Sequence, residues 1–351
     1  MSNLLQYLEQ AVTDQASDIF MVAGGPVSMK LDGHLHPLTQ TKLSPADTAE
    51  LIHHIYTMAN RSMEHFLATG DDDFSFTVSG LARFRVNAYK QRNSLAVVVR
   101  IVSFDIPNWK DLRIPAAVMD LADTQHGMIL VTGTAGSGKS TTQACMIDRI
   151  NRTRDCHIVT LEDPIEFLHR NQRSIVSQRE IAIDTADYLS ALRACLRQAP
   201  DVILLGEMRD AETIRTAITA AETGHTVITT LHTNGTINAI DRIIDSFPAS
   251  QQAQIRIQLA TVLRTVVSQQ LVPSVNGTLL PAFELMHVNH AIRNLIRDNK
   301  NHQISNAITA GRSEGMIPMD FSLLQLYREN LITKETALSF ATNPEQLQRQ
   351  F

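Results

Sequence analysis

Eight residues near the middle of the chain, GTAGSGKS at 133–140, match the spacing GxxxxGK[ST] of a phosphate-binding loop. Glycines in such a loop let backbone N–H groups turn inward around a polyphosphate, and the next helix N-terminus adds positive potential. Lys139 would reach the β- and γ-phosphates, and the Ser140 hydroxyl would bind Mg²⁺. We therefore expect ATP and Mg²⁺ to bind here, at Gly133, Thr134, Ala135, Gly136, Ser137, Gly138, Lys139, Ser140 and Thr141.

The residues on either side of this loop favour a nucleotide site over an ordinary glycine-rich turn. Residues 128–131 are all apolar and predict a buried strand, whereas residues 141–150 contain neither Gly nor Pro and predict a helix. A strand before the loop and a helix after it are the setting that the motif requires.

Two later predicted strands end in acidic residues. DVILLGE at 201–207 ends in Glu207, which would hold Mg²⁺ partly through water or orient the attacking water; the alternative is an acidic strand end facing solvent. In LEDP at 161–164, Pro164 ends the strand, so Glu162 and Asp163 lie at the carboxyl edge of the sheet. A carboxylate there could accept a proton from the water that attacks the γ-phosphate, although a helix-capping Asp-Pro pair beside a surface acid is the alternative.

Two histidines flank the predicted strand 227–230. We place His225 and His232 at the sheet edge beside the nucleotide, where His232 would hydrogen-bond the γ-phosphate. The alternative is that each is a satisfied surface or core residue, which is the commoner fate of a lone histidine.

Arginines recur on the predicted strands of the N-terminal region, at Arg83, Arg85 and Arg100. One interpretation is cross-strand ion pairing with the aspartates at 71–73. The other is that one or two of them reach the ATP of a neighbouring subunit and act in trans. The sequence leaves both open.

Composition limits the class of protein. The 351 residues are 44% hydrophobic and 19% charged, which is typical of globular domains. The net charge of −5 and the lack of a long basic run argue against a dedicated nucleic-acid binder. Three widely spaced cysteines form no CxxC pair and indicate a reduced cytoplasmic chain. We see no signal peptide and no apolar run of the ~20 residues that a membrane helix needs, so membrane attachment would come through partners.

The pattern of predicted elements divides the chain into four regions. Residues 1–102 predict an antiparallel sheet flanked by helices, with a hairpin turn at Asp32-Gly33 and a Ser44 helix cap, and 103–116 predict an interdomain linker. Strands and helices alternate over 117–275, which indicates a parallel sheet covered on both faces. Residues 276–351 are mostly helical by pattern. The predicted strands are 128–132, 157–161, 202–206 and 226–230, and the helices are 139–151, 185–197, 211–223, 236–245 and 249–268.

Four motifs stand in one order along the chain: GTAGSGKSTT at 133–142, TLEDPIEF at 160–167, DVILLGEMRD at 201–210 and AAETGHTVITTLHTNGT at 220–236. They resemble the Walker A, Asp box, Walker B and His box of the secretion-type hexameric ATPases, which serve type II secretion and type IV pili. GLARFRVN at 80–87 is similar to the N-terminal domain of these proteins, and AIRNLIR at 291–297 is similar to the tail motif of the PilT-like pilus retraction branch.

The resemblance implies an α/β fold class, with a RecA-like P-loop ATPase domain, a smaller PAS-like α+β N-terminal domain and a helical C-terminal tail. It also implies roles for individual residues. Glu162 would activate water, Glu207 would act through Mg²⁺, and His225 and His232 would belong to the His box. Arg83 and Arg100 would contact ATP.

The function implied is that of a homo-hexameric ATP-driven motor for pilus retraction. Its partners would be an inner-membrane pilus platform protein and a paralogous pilus ATPase, which places it in the cytoplasm at the inner face of the membrane, without direct insertion. The alternatives are a pilus extension or type II secretion ATPase, a nucleic-acid translocase, or a ring subunit that hydrolyses ATP poorly. Extension and secretion ATPases usually carry a longer N-terminal region and a tetracysteine zinc insertion, and neither pattern occurs in this sequence.

Overall fold

The computed structural model of the protein describes residues 2–31, 33–102 and 106–351. The chain forms two compact units, one of Met1–Asp105 with Glu166–Leu168 and the other of Ile106–Ile165 with His169–Phe351. Asp32 of the predicted hairpin turn and residues 103–105 of the predicted linker lie outside the described residues.

The first unit is an antiparallel sheet with helices against one of its faces, as predicted. Its described elements are α1 Ser2–Thr13, β1 Asp18–Met21, β2 Ser28–Leu31, β3 His34–Pro37, α2 Pro45–Met58, α3 Glu64–Thr69, β4 Asp71–Val78, β5 Ala82–Gln91 and β6 Ser94–Val102. The strand order is β3-β2-β1-β6-β5-β4. Ser44 caps α2, as predicted, in a reciprocal pair of hydrogen bonds with Asp47.

Alternating side chains give this sheet one apolar and one polar face. On β5, Phe84 and Val86 are fully buried, whereas Arg83 and Arg85 lie on the other face. Tyr56 of α2 and Phe66 of α3 pack on the apolar side and are buried with these strands in one cluster. The arginines of β5 therefore lie on the face of the sheet away from this core.

The second unit is built on a seven-stranded sheet that is parallel except at one edge. Its described helices and strands are α4 Ala116–Met119, β7 Gly127–Thr132, α5 Lys139–Thr153, β8 His157–Glu162, β9 Ile175–Glu180, α6 Tyr188–Cys195, β10 Val202–Leu205, α7 Ala211–Glu222, β11 Thr226–Leu231, α8 Thr236–Asp245, α9 Ala249–Val262, β12 Leu263–Pro273, β13 Leu279–His287, α10 His290–Arg297, α11 Ile304–Ala310, α12 Met319–Arg328, α13 Lys334–Phe340 and α14 Pro344–Gln348. The order is β13-β12-β7-β11-β10-β8-β9, and β13 runs antiparallel to β12. The prediction of an α/β protein is confirmed.

Helices cover both faces of this second sheet, which is why β7, β10 and β11 are buried at every position. On β7, Met128 and Leu130 pack on one face, in a core with helices α6 to α11. Ile129 and Val131 point to the opposite face and pack with α4 and α5. The phosphate-binding loop is thereby fixed between a strand buried on both sides and a helix whose inner face is buried.

The structure shortens one predicted helix of this unit and adds two strands that were not predicted. The helix predicted over 249–268 ends at Val262, and the residues that follow enter β12. The added strands are β9 and β13, and the rest of the region 276–351 is mostly helical, as predicted. Short apolar runs such as those in β12 fit a buried helix and a buried strand equally well, and only pairing with β7 decides between them.

Candidate active site

The loop 133–140 has the backbone shape of a phosphate cradle. Gly133, Gly136 and Gly138 all have positive φ, which only glycine adopts without strain. Gly138 is also the N-cap of α5 and provides no side-chain acceptor for the first-turn N–H groups. The start of this 15-residue helix therefore keeps backbone donors and positive potential for an anionic ligand.

Lys139 is buried with its ammonium group folded back onto the loop. Its Nζ donates to the carbonyl oxygens of Gly133 and Thr134, each at 2.8 Å, and lies 3.4 Å from Nδ1 of His232. The side chain is thus held beside the loop crest, residues 134–136, which is exposed. A phosphate seated on the crest would lie within reach of this cation.

Gln269 on β12 supports the loop from behind, and the sequence analysis did not identify it. Its Oε1 accepts a 2.7 Å hydrogen bond from the buried Thr142 hydroxyl of α5. A Cβ at Gly138 would lie 2.8 Å from Gln269 Nε2, and one at Gly133 would lie 2.3 Å from the Gln269 carbonyl oxygen. Gly133 and Gly138 are therefore required by packing against β12 as well as by φ, whereas Gly136 is required by φ alone. The signal available in the sequence was the presence of polar residues, Gln269 among them, within the largely apolar run of β12. This signal points to the loop only once β12 is known to lie beside β7.

Glu207 and His232 lie next to each other at the same sheet edge as the loop. His232 Nε2 is 3.5 Å from Glu207 Oε2, and Nδ1 of the same ring is the atom that faces Lys139. Arg209 binds the other oxygen of Glu207 through Nε at 2.6 Å and also through its Nη2. One imidazole thus connects the lysine of the loop to the carboxylate at the end of β10.

Glu162 ends β8, one strand further from the loop than Glu207. β8 pairs in parallel with β10, with Leu161 opposite Leu205. Glu162 Oε1 accepts hydrogen bonds from Thr160 Oγ1 at 2.6 Å and from Gln178 Nε2 at 3.1 Å. The two predicted acidic strand ends are therefore brought together at the carboxyl edge of the sheet.

Tyr188, which opens α6, lies against this acidic edge and was missed by the sequence analysis. A Cβ at Gly206 would lie 2.8 Å from the Tyr188 hydroxyl oxygen, so the glycine before Glu207 leaves room for the phenol. Burial, with the carboxylates of Asp163 and Glu207, raises the pKa of Tyr188 above its usual range. The phenol therefore remains a neutral hydrogen-bonding group beside the acids.

His225 is not at this edge, so the prediction that both histidines lie beside the nucleotide is wrong for it. Its carbonyl oxygen accepts a hydrogen bond from Gly127, which begins β7, whereas the loop follows the end of β7. β11 runs parallel to β7 from Thr226 to Leu231, so the two histidines are roughly 20 Å apart. The His225 ring is held by Ala220 O at 2.9 Å and Thr223 at 3.2 Å.

The arginines of the first unit lie on the polar face of its sheet. Arg100 Nε is 2.9 Å from Asp18 Oδ1, its cross-strand neighbour on β1, so its ion-pair partner is not one of the aspartates at 71–73. Asp72 instead accepts hydrogen bonds from Arg61 and Tyr56. Contact of Arg83 or Arg100 with ATP remains a prediction.

The residues at the loop fit a magnesium–nucleotide ligand. Ser140 supplies a hydroxyl on the first turn of α5, and Glu207 supplies carboxylate oxygens after the end of β10, two strands from β7. Both are hard oxygen donors of the kind that Mg²⁺ prefers. Within the described ranges, the protein provides no cluster of three His, Cys, Asp or Glu side chains suited to a metal.

None of the helices in the described part of the chain combines the length and the apolar character needed to cross a membrane.

The chain is similar to known secretion and pilus proteins over nearly its whole length. A family model described as Type II/IV secretion system protein matches residues 2–337. The type IV pilus retractation ATPase PilT of Pseudomonas aeruginosa is 42% identical over 344 residues, which are 98% of this chain and 99% of that protein. A twitching motility protein of Neisseria gonorrhoeae is 38% identical over 346 residues, covering 98% and 92%. The crystal structure of the pilus retraction motor PilT with bound ADP superposes with a TM-score of 0.90 at 44% identity, covering 99% of each chain.

Proposed function

The chain belongs to the Type II/IV secretion system protein family, and from this membership we propose that it is an ATP-hydrolysing motor that powers the retraction of type IV pili. The observation in the structure that supports the proposal is that one histidine contacts both the phosphate loop and the acidic edge of the sheet. His232 lies beside Lys139 of the phosphate loop and beside Glu207 of the acidic edge. Binding and hydrolysis groups are therefore assembled on one sheet edge.

Nucleotide binding is assigned to the loop and to Lys139. The backbone N–H groups of the loop and the start of α5 would surround the phosphates, and Lys139 would exchange its bonds to the loop carbonyls for bonds to the β- and γ-oxygens. Mg²⁺, when bound between Ser140 and Glu207, would neutralise charge on the phosphates. His225 is left out of this assignment because of its position at the other end of β11.

Hydrolysis is assigned to the acidic edge. Glu162 would accept the proton of the attacking water, a role that requires its carboxylate to be ionised. His232 would hydrogen-bond the γ-phosphate and report its presence to Glu207 through the contact between them. Arg83 and Arg100 are proposed as further contacts to ATP, one or both of them in trans on the nucleotide of a neighbouring subunit.

The wider assignment follows the relatives. The first unit would be a PAS-like domain and the second a RecA-like motor domain, with six copies forming a ring. The ring would act in the cytoplasm on an inner-membrane platform protein, beside a paralogous pilus ATPase. Energy from differential binding of ATP and ADP to two conformations would drive the disassembly of the pilus.

The test in the cell is deletion of the gene, with pilus length and twitching scored. Long immobile fibres are expected, since extension would continue without retraction. Bald cells would contradict the proposal and point to an extension motor. DNA-stimulated ATPase activity of the purified protein would instead indicate a nucleic-acid translocase.

The test in solution is Glu162→Gln. This variant should bind ATP as the parent does but lose turnover by roughly 10²- to 10⁴-fold, because only the base is removed. Glu345→Gln is the matched control, since this exposed glutamate lies on α14. Turnover of Glu162→Gln at the parental rate would show that another group activates the water.

A further inference from the structure

We propose that Gln178 is a positioning residue for hydrolysis, which holds the Glu162 carboxylate in the orientation that activates water. The inference rests on the proposed role of Glu162. Gln178 lies on β9, the edge strand four places from β7, and it hydrogen-bonds Glu162 and the backbone of His169. We therefore expect its effect on turnover to act through Glu162.

The strand register places the three side chains on one face of the sheet. Gln178 is directly opposite Thr160 in the parallel pair of β8 and β9, and Glu162 follows Thr160 by two residues. Side chains two residues apart on a strand point to the same side. Thr160 and Gln178 are consequently the neighbours that can reach the glutamate from within the sheet.

The orientation of the Gln178 amide is fixed by a second hydrogen bond. The backbone N–H of His169 donates to Gln178 Oε1 at 2.8 Å. Because a backbone N–H can only donate, the amide oxygen must face His169, and the NH₂ group must then face Glu162. Gln178 is thus a donor to the carboxylate by geometry.

Two donors converge on the same oxygen of Glu162. Thr160 Oγ1 is 2.6 Å and Gln178 Nε2 is 3.1 Å from Oε1. Thr160 is fully buried, so its end of the arrangement is rigid. A carboxylate held at one oxygen by two donors loses rotational freedom, and a general base must be held within a fraction of an ångström of its productive position.

Gln178→Glu is the sharpest test, because it replaces the hydrogen bond to Glu162 with a repulsive contact and keeps the hydrogen bond from His169. The new carboxylate can still accept the His169 N–H, but it faces Glu162 with a like charge instead of a donor. Like charge disfavours ionisation of Glu162 and should raise its pKa. We expect the acid limb of the pH–kcat/KM profile to move to higher pH by about one unit or more, as for interacting carboxylate pairs.

Gln178→Met is the second variant, since it has a similar length but no donor and no charge. It should lower kcat about tenfold or more with little change in KM for ATP. The acid limb should move upward by less than in Gln178→Glu, because one hydrogen bond to the carboxylate is lost but no like charge is added. The matched control is Ser177→Ala on the same strand, whose side chain contacts His157 on the other face. This control should leave kcat and the pH profile at parental values.

The outcomes separate this inference from the function on which it rests. If Glu162→Gln retains parental turnover, the role of Glu162 fails and the role of Gln178 fails with it. If Glu162→Gln is inactive while both Gln178 variants keep the parental kcat and acid limb, only the inference about Gln178 is overturned. Folding is checked separately by the Tm and by ADP affinity, which should stay at parental values because the loop is not touched. If one Gln178 variant does not fold, the other decides.

Discussion

Replacement of Lys139 by alanine is expected to weaken nucleotide binding and also to lower the stability of the free protein, since Lys139 bonds the loop in the absence of a ligand. In the structure the Lys139 ammonium already donates to two carbonyl oxygens of the loop, those of Gly133 and Thr134, at 2.8 Å. Binding a triphosphate therefore does not create hydrogen bonds from nothing but exchanges neutral acceptors for charged ones. The gain from Lys139 is the difference between these two kinds of partner.

The magnitude follows from that exchange. A hydrogen bond to a charged group contributes about 1.5–3 kcal/mol and one to a neutral acceptor about 0.5–1.5 kcal/mol, so each exchange gains about 1–1.5 kcal/mol. Two exchanged bonds correspond to roughly 30- to 150-fold in Kd. In the free protein, the carbonyl oxygen of Thr134, an exposed residue, can turn to water after the substitution. The carbonyl of Gly133, which is buried, would be left short of a donor at a cost of about 1–3 kcal/mol.

The assay is titration of ATP and ADP into the purified protein, with the Tm measured in parallel with and without nucleotide. At a concentration of about 100 times the parental Kd, nucleotide should stabilise the parent by about 2.7 kcal/mol; a variant with a 100-fold weaker Kd would gain only about 0.4 kcal/mol. Lys139→Met should behave alike while keeping the apolar stem, and Lys300→Ala, an exposed lysine, is the matched control. Nucleotide affinity of both Lys139 variants within about threefold of the parent would refute the assignment of this cation to the phosphates.

Three further predictions test other parts of the structure. His225→Ala should leave the Kd for ADP at the parental value in a titration, because His225 lies at the far end of β11; a clear loss of affinity would contradict its exclusion from the site. Gln269→Leu should weaken ADP binding several-fold in the same assay and be non-additive with Thr142→Val, since the two share one buried hydrogen bond; full additivity would argue against coupling through that bond. Asp72→Asn should lower the free energy of unfolding by about 1–3 kcal/mol near neutral pH. Burial acts to raise the pKa of Asp72, but hydrogen bonds from Arg61 and Tyr56 hold it below its usual value, so this contribution is present above the unfolded-state pKa and is lost as the pH falls through the folded-state pKa. Denaturation at a series of pH values should show that the free energies of unfolding of the two proteins converge in acid. A difference in these free energies that grows as the pH falls would contradict the role given to Asp72.

Much of the core of the second unit could be predicted because its strands are buried on both faces. Continuous apolar runs such as 128–131 in β7 and 202–205 in β10 are typical of a parallel sheet that is covered by helices on both faces, so the run itself indicates burial on both faces. The phosphate loop was predictable for a similar reason. The positive φ of its glycines and the position of its lysine follow from local backbone geometry and from the ligand, so the motif can be recognised before the packing of Gly133 and Gly138 against Gln269 is known.

The misplaced elements share a different physical origin. β12 and β13 are strands because each finds a partner, and β12 continues straight from α9 without a turn residue to mark the change. β9 is an edge strand with a mixed polar sequence, so it lacks the apolar run that identified its neighbours. These segments are strands because they pair with other parts of the chain, and local sequence patterns do not indicate such pairing.

The sequence by itself determined the ligand and the chemistry, because residue type and short-range spacing suffice to form a glycine loop before a helix and to put acids at strand ends. Only the tertiary structure decided which groups meet. Parallel strands bring their carboxyl ends to one edge regardless of their separation along the chain, so His232 meets Lys139 and Glu207 there, whereas His225, at the start of the same strand, does not. The supports of the site, Gln178 behind Glu162 and Gln269 behind the loop, are likewise set by strand register, since a shift of one residue would turn each side chain to the opposite face.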